Sequence, residues 1–398
     1  MKITEKYILT IFFLLGCSGQ KPGPPSDRMK AEAIIHKMDS IYNPDRRTHI
    51  FNVKPVERQQ TLVLKGETDL PDLKSRLFGA LDSSGIRYLD SLLVLPDKKV
   101  VSTPYAVVKI SVANLRKTPN HASELVTQGL MGSPYKVLKE KNGWYLVVGP
   151  DHYNGWADNG GIKLFSPDAY KDFEHAEKVI CTSLTGTVWS EGGKSSDPVS
   201  DLVAGDIMLL TGLSGKYYHV TLPDGRTGYV ESGDCRLFSQ FAGNVKADPA
   251  SLVSTSRILL GIPYLWGGTS VKGMDCSGLT KTVYFLNGII LPRDADQQAR
   301  VGKTVDFRKD FRSLKPGDLL FFGQKAGKGP EDEITHVAMW IGDMRYIQSS
   351  GRVKINSMDS TAQDFDRYNF NRYVQANRIL GFENQPVISL SDFFMDLP

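Results

Sequence analysis

One stretch of the sequence places a cysteine among residues that suit nucleophilic chemistry. The stretch LWGGTSVKGMDCSGL, residues 265–279, contains Cys276, one of only four cysteines in 398 residues. A predicted helix begins at this cysteine, and the free N–H groups and dipole of a helix N-terminus favour a thiolate. Gly267, Gly268 and Gly278 would leave room for the backbone of a substrate. We therefore predict that Cys276 is a nucleophile with a lowered pKa.

A cysteine nucleophile needs a base from another part of the chain. The chain has seven histidines, and His336, in ITHVAMWIGD, stands on a predicted strand 60 residues after Cys276. Gln348, in YIQSSG, lies on the predicted return strand, where its amide would hydrogen-bond the imidazole. The three residues would form a Cys–His–polar site of the kind found in papain-like proteases.

Other roles for a cysteine fit this stretch less well. A zinc site needs several Cys or His ligands at set spacing, and the sequence shows none near Cys276. A disulfide would leave the surrounding glycines unexplained, whereas an inert buried thiol stays open. Cys181 and Cys235 flank one segment, and they either pair as a disulfide or remain free buried thiols.

The elements around these residues form a third region that Pro249 opens. An amphipathic helix ends at 261–263, and a second helix runs from Cys276 to a glycine stop at Gly288. Two strands follow, GDLLFF and HVAMWIGD, and the latter turns into RYIQSS as a hairpin. This order of helices and strands would bring a cysteine and a histidine together.

Upstream of this region the sequence pattern is typical of β-strands. Short strand–turn units recur, with Gly and Asn at the turns and aromatic residues at regular places, and they resemble two tandem bacterial SH3-like barrels over about 104–165 and 178–238. Residues 28–100 read as a small α+β unit, with a helix starting near Pro71 and strands on both sides. The sequence leaves the role of this unit open, and packing is the expectation.

The N-terminus predicts export. Lys2 and Lys6 precede an apolar run over residues 7–15, which is shorter than the roughly 20 residues that cross a bilayer. The ending LLGC resembles a bacterial lipobox, which implies a signal over 1–17, a lipid on Cys17 and a tether over 18–27. The alternative is a plain secretory signal with an incidental cysteine.

The composition and net charge argue against some classes of function. The chain is 41% hydrophobic and 23% charged, which is typical of a globular protein with more than one domain. Its 48 basic and 44 acidic residues give a net charge of only +4. This balance, without a basic stripe, argues against a nucleic-acid partner, and nothing indicates an oligomeric state.

Four segments, PYLWGGTSVKGMDCSGLT, LPRDADQQ, LKPGDLLFF and THVAMWIGD with YIQSS, together resemble the NlpC-type cell-wall cysteine peptidases over about 248–382. With the SH3-like pair, the chain resembles the γ-D-glutamyl-L-diamino-acid endopeptidases that trim murein stem peptides. The resemblance implies a papain-like core, with Cys276 as nucleophile and His336 as general base. Gln348 stands where many relatives carry a second histidine; its amide can orient the imidazole but brings no charge.

The resemblance also implies the substrate contacts. Tyr264 would hold the oxyanion beside the backbone N–H of Cys276, unless it is a core tyrosine. Asp275 and Asp294 would bind the free α-amine of an N-terminal L-Ala, and Ser277 would line the pocket. Asp294 is alternatively the N-cap of a short helix.

Two residues of the first SH3-like barrel complete the predicted site. The segments SELVTQ and DHYNGW resemble those that close the far side of the pocket, which points to Glu124 and Tyr153. A carboxylate facing the amine would make the enzyme count two residues from the N-terminus. The alternatives are surface charge for Glu124 and barrel core for Tyr153.

We thus expect an α+β chain with a papain-like cysteine peptidase core behind two SH3-like barrels and a small α+β unit. It would be a lipoprotein of the outer membrane facing the periplasm, cutting the γ-D-glutamyl–diamino acid bond of murein peptides without metal or organic cofactor. The diamino acid, lysine or diaminopimelate, stays open. The competing functions are a non-catalytic wall-binding lipoprotein and an acyltransferase or amidase, which would need a long apolar groove.

Overall fold

The computed structural model describes residues 26–42, 45–59, 61–96, 102–193, 195–306, 309–325, 332–383, 386–395 and 397. The predicted signal, Cys17 and most of the tether lie outside these residues, so they stay predictions. Within the described part of the chain, no helix is long and apolar enough to cross a membrane. The chain divides into two compact units, one within 1–44 and 51–93 and the other within 45–50 and 94–398.

The smaller unit has the α+β composition that the sequence predicts. Its three strands form one sheet in the order β1-β2-β3, and leucines of its second helix are fully buried in the core. The elements are α1 (Asp27–Tyr42), β1 (Phe51–Arg58), β2 (Thr61–Thr68), α2 (Pro71–Ser83) and β3 (Tyr88–Val94). Residues 45–50 are grouped with the larger unit, so the span 28–100 is not a single body.

The first β-rich region of the larger unit is a seven-stranded antiparallel sheet over the predicted range. Its order is β10-β4-β7-β8-β9-β5-β6. The strands are β4 (Tyr105–Val108), β5 (Val112–Arg116), β6 (Leu125–Leu130), β7 (Pro134–Lys141), β8 (Trp144–Val148), β9 (Asn154–Asp158) and β10 (Ile162–Phe165). Helix α3 (Pro167–His175) follows, begun by Ser166, whose hydroxyl caps the Ala169 N–H.

The second β-rich region repeats this topology strand for strand. Its order, β17-β11-β14-β15-β16-β12-β13, matches the first when each number is lowered by seven. The elements are β11 (Lys178–Cys181), β12 (Thr185–Trp189), β13 (Pro198–Val203), β14 (Ile207–Ser214), β15 (Tyr217–Thr221), β16 (Thr227–Glu231), β17 (Cys235–Leu237) and the following helix α4 (Phe238–Asn244). The weak sequence echo therefore reflects a true structural repeat.

Cys181 and Cys235 occupy paired positions on β11 and β17 of this second sheet. Both are buried, and both are free thiols. Of the two alternatives for this pair, the structure shows the reduced one.

The C-terminal region is built on a six-stranded antiparallel sheet in the order β21-β26-β22-β23-β24-β25. Its helices are α5 (Pro249–Ile258), α6 (Cys276–Phe285), α7 (Ala295–Gln298) and α8 (Arg367–Arg372). Its strands are β18 (Thr269–Ser270), β19 (Gly273–Met274), β20 (Ile289–Ile290), β21 (Lys303–Asp306), β22 (Leu319–Gln324), β23 (Glu333–Gly342), β24 (Arg345–Ser350), β25 (Arg352–Ser357), β26 (Tyr373–Arg378) and β27 (Ile388–Ser389), before a 3-10 helix at Leu390–Asp392.

Helix α6 and strand β23 share one apolar core, and this contact positions the site. Leu279 and Val283 from the helix are buried against Val337 and Met339 from the strand. The helix begins at Cys276, and the chain leaves it through Gly288 at φ 87°, as the sequence predicts. Burial of these apolar side chains fixes the start of α6 beside the strand that carries His336.

Candidate active site

A cleft of about 590 Å³ opens at the N-terminal end of α6. Residues of the first SH3-like sheet, of the segment 45–50 and of the C-terminal region all line it. Cys276, Tyr264 and His336 share it with many charged side chains, among them Arg46, Arg47, Arg116, Lys117, Glu124 and Asp294. The predicted nucleophile, base and oxyanion donor therefore meet in one polar cleft.

The surroundings of Cys276 favour the protonated thiol at neutral pH. Burial, together with the adjacent Asp275 carboxylate, raises the pKa of Cys276 to about 11, although backbone N–H groups of Val337 and Ser277 oppose the rise. The prediction of a lowered resting pKa is wrong, because desolvation and a nearby anion outweigh the helix N-terminus. A thiolate must therefore form by proton transfer to a base during the reaction.

The glycines around Cys276 serve internal packing. A β-carbon at Gly278 would overlap the carbonyl of Gly268, and one at Gly267 would overlap the carbonyl of Leu125 in the first sheet. Gly267 also has φ 78°, which favours glycine. These glycines let chain segments approach one another closely. Gly267 also lines the cleft, and the room that the glycines leave for a substrate backbone stays a prediction.

His336 is held by Gln348, as the sequence predicts. The two side chains share a hydrogen bond of 2.7 Å between Nε2 and Oε1. Burial lowers the pKa of His336, and the Gln348 contact opposes that shift. The imidazole is therefore neutral near neutral pH and able to accept a proton.

The surroundings of Gln348 decide which ring nitrogen accepts. Its Nε2 donates to Asn356 Oδ1 at 2.8 Å and to Asp366 Oδ2 at 3.0 Å, while its Oε1 also accepts from Asn369 Nδ2 at 3.0 Å. If the Gln348 amide were flipped, its NH2 group would face the NH2 group of Asn369 and its oxygen would face the Asp366 carboxylate. Oε1 must therefore face the imidazole. His336 Nε2 then carries the proton, and Nδ1 is the free acceptor.

Asp366 supplies the charge that Gln348 lacks. Its Oδ2 accepts hydrogen bonds from Gln348 and from the Tyr346 hydroxyl, at 3.0 and 2.8 Å, and its negative charge raises the pKa of His336. Sequence reasoning missed Asp366. The available signal was an Asp three residues before Asn369, whose N–H it caps at the start of α8.

Tyr264 lies in the cleft near the thiol. Burial, with the charges of Cys276 and Asp275 adding to it, raises the pKa of Tyr264 to about 12. The phenol therefore keeps its proton at neutral pH and can donate to a developing oxyanion.

Asp275 is a capping and ion-pairing residue, in contrast to the predicted amine contact. Its Oδ1 accepts from the Gly278 N–H at 2.7 Å, and its Oδ2 accepts from the Gly267 N–H at 2.9 Å. Arg293 donates to both oxygens, at 3.2 and 2.6 Å, and its Nη1 reaches Ser277 Oγ at 2.9 Å. With both carboxylate oxygens occupied, Asp275 has no free acceptor for a substrate amine, and Ser277 belongs to the same buried cluster.

Asp294 and Tyr153 both line the cleft, as predicted, and they are in direct contact there. The Tyr153 hydroxyl donates to Asp294 Oδ2 at 3.0 Å, which joins the first SH3-like sheet to the start of α7. The Asp294 side chain is 25% exposed. Asp294 is also the N-cap residue of α7, which is the alternative role for this position, while its contact with a substrate amine stays a prediction.

Glu124 lines the same cleft from the position directly before strand β6. Its Oε1 accepts from Trp266 Nε1 at 3.1 Å and its Oε2 accepts from Lys117 at 3.0 Å. These two contacts, that of Lys117 foremost, lower the pKa of Glu124 and keep it charged. Glu124 is therefore a carboxylate at the cleft rim, fixed by the exposed Trp266, which sequence reasoning missed.

Comparisons with known proteins agree with this geometry. Residues 261–371 match the NlpC/P60 family, and residues 111–163 match the bacterial SH3 domain. A gamma-D-glutamyl-L-lysine dipeptidyl-peptidase of Bacillus cereus is 33% identical over 242 residues, which span 58% of this chain and 68% of that protein. This chain belongs to the NlpC/P60 family.

Two further relatives support the assignment. The gamma-D-glutamyl-L-lysine dipeptidyl-peptidase of Bacillus subtilis is 29% identical over 56% of this chain and 71% of its own length. The crystal structure of an NlpC/P60 family protein from Bacillus cereus superposes with a TM-score of 0.59 at 25% identity, over 69% of this chain and 99% of that one. The match shows the papain-like core together with the SH3-like region.

Two arginines of this NlpC/P60 protein escaped the sequence analysis. Arg293 is 1% exposed and bridges Asp275 to the first sheet through Thr127. It precedes Asp294 in the motif RDADQQ, which was the available signal. Arg47 binds Asp294 from the segment 45–50, and no local pattern marks it.

Proposed function

We propose that this NlpC/P60 protein hydrolyses the γ-D-glutamyl–diamino acid bond of peptidoglycan peptides that begin with a free L-Ala. The observation that carries this proposal is the contact of Tyr153 with Asp294 in the cleft of Cys276 and His336. The Asp294 carboxylate lines the same cleft as the nucleophile and the base, which supports its role as the partner of the substrate amine. The names of the two dipeptidyl-peptidase relatives support the same substrate class.

The first chemical step moves the thiol proton to His336. Nδ1 accepts the proton, and the sulfur of Cys276 forms a bond to the γ-carbonyl carbon of D-Glu. The Tyr264 hydroxyl and the backbone N–H of Cys276 donate to the oxyanion of the tetrahedral intermediate. Gln348 is neutral, but Asp366 stabilises the His336 imidazolium through its hydrogen bond with Gln348 and through its negative charge.

The remaining steps release the two products. The His336 imidazolium gives its proton to the amine of the diamino acid as the C–N bond breaks, which leaves a thioester on Cys276. Water gives a proton to His336 and attacks the thioester carbon. The C–S bond then breaks, the imidazolium returns its proton to the sulfur of Cys276, and L-Ala-D-Glu leaves with its γ-carboxylate. The cleft is lined by charges, which suits this polar peptide better than the long apolar groove of an acyltransferase.

Hydrolysis of L-Ala-γ-D-Glu-L-Lys and its N-acetylated twin tests the proposal. We expect the free-amine peptide to be cleaved, with kcat/KM at least roughly 100-fold lower for the acetylated peptide, because acetylation leaves the cleft carboxylate without its partner. Released lysine, quantified by chromatography, is the readout, and the diaminopimelate analogue run in parallel decides the diamino acid.

The outcomes separate the competing functions. Equal cleavage of both twins would keep a peptidase and refute the requirement for a free amine. Cleavage of neither twin nor of the diaminopimelate analogue would favour the non-catalytic wall-binding function.

We also propose that the chain is exported and held at a membrane by a lipid on Cys17. The sequence LLGC at the end of a short apolar run supports this proposal. Cells fed labelled palmitate should label the wild type and not Cys17→Ala; equal labelling of both would refute the lipid site.

A further inference from the structure

The guanidinium of Arg47 lies at the centre of three carboxylates. Its Nε donates to Asp45 Oδ1 at 2.8 Å, and its Nη2 donates to Asp45 Oδ2 at 2.8 Å and Asp296 Oδ2 at 2.6 Å. Its Nη1 donates to Asp294 Oδ2 and to Asp296 Oδ1, both at 2.8 Å. All five N–H groups of the guanidinium are used.

The backbone around Arg47 is fixed as firmly as its side chain. The Asn154 N–H of the first sheet donates to the Arg47 carbonyl at 2.8 Å, and the Asn154 side-chain amide donates to the same oxygen at 2.7 Å. Gln297 of α7 donates to Asp45 Oδ2 at 2.7 Å. The segment 45–50 is thereby attached to both walls of the cleft, which is more than packing requires.

The two oxygens of Asp294 differ in their contacts. Oδ2 accepts from Arg47 and from Tyr153, at 2.8 and 3.0 Å. The nearest ion-pair partner of Oδ1 is Nη1 of Arg293, at 3.8 Å, and the Asp294 side chain also faces the backbone N–H of Gln297 in the capping box of α7. An ammonium group entering the cleft would thus find Oδ1 as the oxygen with acceptor capacity to spare.

We propose that Arg47 is a positioning residue for amine recognition, whose guanidinium holds Asp294 by Oδ2 so that Oδ1 faces the α-amine of the substrate. This inference rests on the proposed function, because it assumes that Asp294 binds that amine. Arg47 does not compete with the amine in this arrangement, since it occupies the opposite oxygen and has no donor left over.

The charge of Arg47 also matters, because Asp294 is largely buried. Burial raises the pKa of Asp294, and the cations Arg293 and Arg47 oppose that rise, as does the Tyr153 hydroxyl, while Asp296 adds to it. Without Arg47, a larger fraction of Asp294 is protonated at a given pH, and a neutral acid does not attract an ammonium group.

Three variants test the proposal on the free-amine peptide. Arg47→Met removes both the positive charge and the hydrogen-bond donors of the guanidinium, whereas Arg47→Lys keeps the charge. Arg300→Met is the control, because Arg300 lies 3.7 Å from Asp296 and is not a partner of Asp294. For Arg47→Met we expect KM to rise about tenfold with kcat little changed, because the lost contact between Arg47 and Asp294 serves substrate binding and not the chemical step. Arg300→Met should match the wild type.

The pH dependence distinguishes positioning from mere structural support. In Arg47→Met, the acidic limb of kcat/KM should move to higher pH, because Asp294 loses the cation that opposes its protonation. Arg47→Lys should keep the wild-type limb while its KM rises by less. A variant that only loosens the fold would lower activity at every pH and leave the limb where it was.

A KM that falls in Arg47→Met would show that Arg47 blocks the amine site, and unchanged KM and pH limb would show that it has no role there; either result overturns the inference. If the wild type itself fails to discriminate between the free and acetylated peptides, the proposed function has failed first. Thermal unfolding of each variant shows whether the fold is intact.

Discussion

Replacing Cys276 by alanine is expected to abolish hydrolysis of the free-amine peptide, with a loss of roughly 10⁴-fold or more in kcat. The fold should survive, because the change removes only a sulfur atom at the start of α6 and leaves the Asp275 cap in place. The other described cysteines, Cys181 and Cys235, are buried in the second sheet and cannot substitute for it. Thermal unfolding of the variant supplies the control.

The protonation of the same thiol can be measured separately. Because burial and Asp275 raise the pKa of Cys276 to about 11, its alkylation by iodoacetamide should be slow at neutral pH. The rate should climb by about tenfold for each pH unit into the alkaline range, as the thiolate fraction does below a pKa. A rate that levels off near neutral pH would instead reveal a resting thiolate–imidazolium pair. Cys276→Ala identifies the labelled site by mass spectrometry.

The elements of this protein were predictable where their signals are local. Pro71 and Pro249 begin helices, Gly288 ends one, and Cys276 begins another, because caps and periodicity act within a few residues. The tandem β-rich sheets also follow from repeated strand–turn patterns. The contact between His336 and Gln348 was predictable because both residues lie on adjacent strands of one hairpin.

The electrostatics of the site were not predictable in the same way. Asp366 reaches His336 through an intervening amide, and Arg47 reaches Asp294 from a segment almost 250 residues away in the chain. Neither contact leaves a local pattern. The thiol pKa was predicted with the wrong sign, because the helix N-terminus is visible in the sequence, while the degree of burial of Cys276 is set by tertiary packing.

The ion pair between Arg293 and Asp275 affects both the stability of the fold and the pKa of the nucleophile. Both side chains are almost fully buried, and the ion pair at 2.6 Å sits between Cys276 and the first sheet. Breaking a buried pair by removing one partner typically costs about 3–5 kcal/mol, because the remaining charge loses its compensation. Arg293→Met should therefore lower the thermal midpoint strongly. It should also raise the pKa of Cys276, since Arg293 opposes the effect of Asp275 on the thiol.

A double-mutant cycle separates these two effects. The double variant Arg293→Met with Asp275→Asn removes both charges and should recover much of the thermal midpoint, because no uncompensated carboxylate remains. Thr127→Val is the matched control, since it removes only the 3.1 Å hydrogen bond from Arg293 Nε and leaves the ion pair intact. If Arg293→Met is no less stable than Thr127→Val, the pair does not hold the start of α6. In that case the cap of Asp275 on Gly278 and apolar packing alone position the nucleophile.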